Sequence, residues 1–407
     1  MMATKIKVFL LSRYFRHLAL LLALLQLGYL SLFLLNWFPL RYWQILGKVP
    51  FWDFSAIRES AICFKEFGFK VYEYSGDPCT GYTYGSSLLF ILSRSLNLAS
   101  PTFFGLTLMF LALLCLSILA TPFGTYQNLQ KSFYLYLFAL LFSPPMILLF
   151  ERGNLDSLVF IFVTFSGLLF LKDRKNSAFI VIGIATTFKF YTAPAFFVIY
   201  ILQIGVRRGR VPRTLFLMTV ISLIKADIER ISAPLISLDR ASFGIKVLLR
   251  QIENPALYSM ALIFVLVSLM GIIGVVLSHI SFFIKRPNFR DEKVRKVFLY
   301  YLYLSVLLPC YVFIFNFDYR LIYFVALCLA FVPLIWQFRH FRVLFQLLSL
   351  GACWFSFNSP PRIEIIGDIC LISSLVIASY MVCNLLKSKD LNGERLYISK
   401  PDDRASS

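Results

Sequence analysis

Apolar runs long enough to cross a hydrocarbon core of ~30 Å recur along the whole chain, divided by short polar breaks. The pattern predicts helical spans near 17–38, 102–121, 132–150, 157–171, 177–188, 190–203, 214–224, 257–284, 297–315, 321–336, 343–357 and 366–386. At about 1.5 Å of rise per residue, the segments 177–188, 190–203 and 214–224 are too short to span alone. Half-spans of this kind are tolerated where protein buries them or where they line a polar cavity. The fold class expected is therefore an all-α polytopic membrane protein of about twelve transmembrane segments, some short or broken.

Composition excludes a soluble reading. Hydrophobic residues make up 59% of the 407, with 44 phenylalanines, which leaves too little charge to cover a soluble surface. Residues 1–386 read as one transmembrane domain, and 387–407 as a polar cytoplasmic tail expected to be disordered. Lys5, Lys7, Arg13 and Arg16 precede the first apolar run. That run is long enough to span and no small-x-small cleavage site follows it, so it reads as an anchor rather than a cleaved signal.

Charge sets the orientation. With both termini cytoplasmic, the connections on that side hold 25 Lys and Arg against 7 acids, and the opposite side holds 15 against 14. A difference of +18 against +1 is what the positive-inside rule expects. The net charge of +19 thus reports membrane topology and not a nucleic-acid partner. The absence of an N-x-Ser/Thr sequon leans toward a bacterial inner membrane.

The polar breaks on the outer side carry the candidate chemistry. They are the long first loop 39–101, the break "ERGNLD" at 151–156, "TFKFYTAP" at 187–194, the loop 225–256, "FNFDYRLIY" at 315–323 and "NSPPRIEIIGD" at 358–368. His17, His279 and His340 all fall toward the cytoplasmic side, so acid–base work outside needs carboxylates, helped electrostatically by Lys, Arg and Tyr. Asp53, between Trp52 and Phe54, either caps a short helix beginning at Ser55 or serves as a base at the interface. Asn154 or Asp156 could cap the span that follows them, with Arg152 paired to Glu151 or a headgroup, or Arg152 could bind an anion. Lys189 sits where the chain must break before Pro194, and an amine that near the membrane is costly unless it pairs or functions. Asp318 and Arg320 could form a mutual ion pair, or Arg320 could join Lys189 on a phosphate. Six of the eight cysteines lie in spans and read as apolar filler, whereas Cys63 and Cys79 share the first outer loop and could bond if that face is oxidising.

The first-loop Asp, the segment "VYEYSGDPCTGYTYG" and the run from "RGNLDSLVF" to "TTFKFYTAPAF" together resemble the GT-C glycosyltransferases, in particular the polyprenyl-phosphate-mannose-dependent α-mannosyltransferases. The resemblance covers most of residues 40–330 in order. Asn154, Asp156, Gly183, Lys189, Tyr191 and Pro194 stand in the family's motif positions. The chain departs where many members read "YPPL", having Tyr84-Gly85-Ser86-Ser87 instead, and its proline after the Lys-aromatic pair is displaced to Pro194. The resemblance implies inverting transfer of mannose or another hexose from a polyprenyl-phosphate donor to a glycolipid or glycan acceptor on the outer face. In it, Asp53 would be the general base, and Arg152, Lys189 and Arg320 would bind the donor phosphate, with Lys246 and Arg250 as weaker candidates. Tyr84, Asn154, Asp156, Tyr191 and Asp318 would bind sugar or support the cations. No metal and no cofactor is implied. A transporter or lipid flippase also uses broken spans with buried charge, and a non-catalytic envelope scaffold would let the outer charges be exchanged freely.

Overall fold

The computed structural model describes residues 51–72, 85–95, 100–120, 131–204, 210–230, 242–243, 254–284, 291–313, 316–335, 338–355 and 361–387, with Gly28 and Ile252. Fourteen α-helices lie within them: α1 Trp52–Phe67, α2 Ser86–Ser95, α3 Pro101–Ala120, α4 Lys131–Leu141, α5 Pro144–Arg152, α6 Asp156–Leu171, α7 Lys175–Phe188, α8 Ala193–Ile204, α9 Arg210–Arg230, α10 Pro255–Ile284, α11 Glu292–Phe313, α12 Ile322–Phe331, α13 Arg339–Phe355 and α14 Pro361–Lys387. A two-residue antiparallel ladder, β1 Ser242–Phe243 with β2 Asn316–Phe317, is the one piece of sheet among the described residues.

Three of these helices are long and apolar enough to cross a membrane: Pro101–Ala120, Pro255–Val276 and Ile365–Leu385. Shorter apolar helices follow at Asp156–Leu171, Lys175–Phe188, Phe190–Gln203 and Ile322–Phe331. The chain is a helical membrane protein. The span expected at 17–38 lies outside the described residues.

Local chemistry explains where the helices differ from the expected runs. The run 132–150 is two helices, because Pro144 and Pro145 open α5 at positions that need no N–H donor. Ser143 closes the break by donating its hydroxyl to the Leu140 carbonyl at 2.6 Å. The stretch 214–224, expected to be a half-span, is the middle of the 21-residue α9. The break between α7 and α8 falls at Lys189 and a 3-10 turn over Phe190–Thr192, with Pro194 in the first turn of α8.

The packing sorts helices by exposure. All ten residues of α12 are buried, as befits a helix that is apolar all round and enclosed by others. By contrast α10 presents Leu257, Met260, Ile263, Val267, Met270 and Ile273 outward, an apolar face suited to lipid. Helix pairs α6–α7, α11–α12 and α13–α14 pack along their lengths.

This connectivity gathers termini at one end of the bundle. The start of α1, the α5–α6 turn, the α7–α8 break and the α11–α12 turn are brought together there, with α5 packed on the 3-10 turn Asp318–Leu321.

Candidate active site

The site begins with a backbone conformation that phenylalanine rarely adopts. Phe51 precedes α1 with φ +60°, in the left-handed region, and its side chain is buried. Two glycines make the slot that holds it. A Cβ on Gly105 of α3 would lie 2.2 Å from Phe51 Cδ1, and one on Gly153 in the α5–α6 turn would lie 2.7 Å from the same atom. Gly153 itself has φ +58° and closes α5, where a side chain would be strained. Phe54 adds a stacked contact to Phe104, with ring centroids 4.1 Å apart.

Seated in this way, α1 turns Asp53 toward the α5–α6 turn. The helix starts at Trp52, so Asp53 is inside its first turn and does not cap a helix at Ser55. Its Oδ1 accepts Nε of Arg152 at 2.8 Å and Nη2 at 2.5 Å, and its Oδ2 accepts Nδ2 of Asn154. A carboxylate offers about four acceptor directions, so Oδ2 keeps capacity for another donor. Arg152 therefore pairs with Asp53. The side chain of Glu151, its other expected partner, lies outside the description.

Asn154 links two carboxylates. While its amide donates to Asp53, its Oδ1 accepts the backbone N–H of Asp156 at 2.8 Å. Asp156 is fully buried. Its Oδ1 accepts the Tyr191 hydroxyl at 2.6 Å and lies 3.3 Å from Lys189 Nζ, and its Oδ2 accepts Arg320 Nε at 3.1 Å. Arg320 also sits over the Tyr191 ring, 5.0 Å from its centroid. Tyr191 and Tyr323 bring their hydroxyls to 3.3 Å. Arg320 pairs with Asp156; the side chain of Asp318, its expected partner, lies outside the description.

These contacts form one electrostatic unit, because Asp53 is close enough to act on Lys189. Burial pushes the Lys189 ammonium down, to about 8, against the opposing pull of Asp156. The geometry brings seven sequence candidates together: Asp53, Arg152, Asn154, Asp156, Lys189, Tyr191 and Arg320. Tyr84, Lys246 and Arg250 lie outside the described residues. Cys63 is disulfide-bonded, and its expected partner Cys79 also lies outside them; Cys115, Cys310, Cys328, Cys353, Cys370 and Cys383 form no disulfide. Sequence pattern does not single out Phe51, Gly105 or Tyr323. Only the left-handed start of α1 and the close glycine contacts reveal the first two.

Such an arrangement can hold an anion at the cations while offering Asp53 Oδ2 to a donor hydroxyl. Among the described residues no group of three or more His, Cys, Asp or Glu could hold a metal ion. Elsewhere α8, α10 and α11 line an apolar crevice whose walls include Val198, Ile201, Leu202, Val276, Leu304 and Leu308. Gly105→Ala is expected to push Phe51 out of its slot and lower stability by about 1–3 kcal/mol. Thermal unfolding in detergent checks this, and an unchanged midpoint would mean the slot yields freely.

No family model, curated protein or solved structure matches the chain.

Proposed function

We propose that this chain is an integral-membrane glycosyltransferase. It moves a sugar, mannose or another hexose, from a polyprenyl-phosphate donor to a lipid or glycan acceptor. The reaction takes place on the extracytoplasmic face, in a bacterial inner membrane with both termini cytoplasmic. The observation that carries the reading is the juxtaposition of Asp53, with acceptor capacity left on Oδ2, the part-buried Arg152, and the buried cations Lys189 and Arg320. The helices next to the breaks that carry Lys189 and Arg320, α8 and α11, line an apolar crevice of a kind that accepts a prenyl chain.

In this mechanism the acceptor hydroxyl gives its proton to Asp53 Oδ2 as its oxygen attacks the anomeric carbon. The bond from that carbon to the phosphate oxygen breaks, and a new glycosidic bond forms with inversion. The electron pair leaves with the polyprenyl phosphate, whose growing negative charge is stabilised by Lys189, Arg320 and Arg152. Asn154 orients Asp53, and Asp156 with Tyr191 holds two of the cations in place. The protonated Asp53 later returns its proton to water.

Farnesyl phosphate, a soluble prenyl monophosphate, tests the binding half. Purified protein is expected to bind it far better than farnesol, and Lys189→Met is expected to weaken binding about 10- to 100-fold, the worth of a charge-assisted hydrogen bond. Since Lys189 is cationic below its ionisation near 8, affinity should fall as pH rises through that value. Equal affinity for farnesol and farnesyl phosphate in calorimetric titration would sink the phosphate site. Flux of the probe across proteoliposomes, with no sugar transfer from glycosylated polyprenyl-phosphate donors, would favour a transporter instead.

A further inference from the structure

One buried carboxylate reaches this end of the bundle without a part in the proposed reaction. Asp227, on α9, is 1% exposed, and its Oδ2 accepts the backbone N–H of Ser86, the first residue of α2, at 2.9 Å. The neighbouring residues bind the end of α7. Gly85 N–H donates to the Phe188 carbonyl at 3.2 Å, and the Ser87 hydroxyl donates to the Thr187 carbonyl at 3.1 Å. Those carbonyls belong to the last turn of a helix, where intrahelical donors run out. Lys189 follows at once, in extended backbone with φ −143° and ψ 115°.

The approach leaves no room for a side chain. A Cβ on Gly85 would stand 1.7 Å from the Thr187 carbonyl oxygen, and 3.6 Å from Asp227 Oδ2. Glycine is therefore required here by contact. Proline could stand at neither position 85 nor 86, because it has no N–H to give to the Phe188 carbonyl or to Asp227.

We infer that Asp227 is a positioning residue which, through Ser86 and Gly85, fixes the last turn of α7 and so aims Lys189 at Asp156 and at the donor phosphate. The phosphate part of this inference rests on the function proposed above; the backbone part does not. An ordinary helix cap comes from the residue just before the helix, whereas this acceptor comes from 141 residues away and ties α9, α2 and α7 together.

The test uses the purified full chain with Asp227→Ala, Asp227→Asn and Gly85→Ala. Farnesyl phosphate affinity is measured alongside hydrogen exchange of the peptide spanning residues 185–192. Asp227→Ala and Gly85→Ala are each expected to weaken affinity about tenfold and to speed exchange in that peptide. Asp227→Asn keeps an oxygen able to accept the Ser86 N–H, so it should restore both readouts to near wild type. Wild-type affinity and exchange in Asp227→Ala overturn the inference. So does faster exchange with unchanged affinity, or an Asp227→Asn variant as weak as Asp227→Ala. A folded wild type that does not bind the probe overturns the phosphate reading of the site, and the exchange data then decide the backbone lock by themselves.

Discussion

Replacing Asp53 with Asn is expected to cut sugar transfer by about 10²- to 10⁴-fold, the usual contribution of a positioned general base. The substitution nearly keeps the shape and leaves one oxygen able to accept from Arg152. It removes the charge that takes up the acceptor proton. Donor affinity should change much less, because Asp156 holds both Lys189 and Arg320. Losing the partner of a part-buried guanidinium also costs stability, on the order of 1–3 kcal/mol. The comparison therefore has to be made per folded molecule, using monodisperse fractions from size exclusion. Transfer equal in both proteins would leave the base to be sought elsewhere, and Asp156 is a poor substitute because its two oxygens are already engaged by Tyr191, Lys189 and Arg320.

Asp156→Asn should act on folding before it acts on chemistry. Asp156 is the shared counter-ion of two cations at the junction of α6 with the breaks that carry Lys189 and Arg320, and it is wholly buried. Breaking a buried pair by removing one partner costs about 3–5 kcal/mol, a large part of a typical domain's 5–15 kcal/mol. The variant is expected to lose most of its folded yield, read as the height of the monodisperse peak and its thermal midpoint. Tyr191→Phe, which removes one hydrogen bond to the same carboxylate, should cost only about 1–2 kcal/mol. An Asp156→Asn protein that folds like wild type yet transfers no sugar would move Asp156 from support to substrate contact.

The membrane class and the candidate polar positions were legible because ionisable residues stand out in an apolar chain and are expensive there. Arg152, Asn154, Asp156, Lys189 and Arg320 each interrupt a greasy run, and their proximity follows once the helices alternate direction across the bundle. Local pattern misled where a distant contact decides. Ser55 looks like a helix start after Asp53, but Phe51 in its glycine slot begins the helix earlier and turns Asp53 toward Arg152. Nothing near Arg320 in sequence indicates its pairing with Asp156, 164 residues distant. The run 132–150 is apolar throughout, so hydropathy alone reads it as one segment, and only the paired prolines mark the break. Asp227 sits near the end of a helix richer in charge than its neighbours, and nothing near it in sequence indicates Ser86 as its partner.

In the proposed reaction the cluster at the helix breaks releases a sugar from a lipid phosphate. The most direct measurement supplies purified protein in lipid with radiolabelled polyprenyl-phosphate hexoses and an extract of envelope glycolipids, then follows label and lipid together. The expected result is label passing to an acceptor with inverted anomeric configuration, and one polyprenyl phosphate released for each sugar transferred. Folded protein that binds no donor and transfers no label from any of them would show that this cluster is not a glycosyltransferase site.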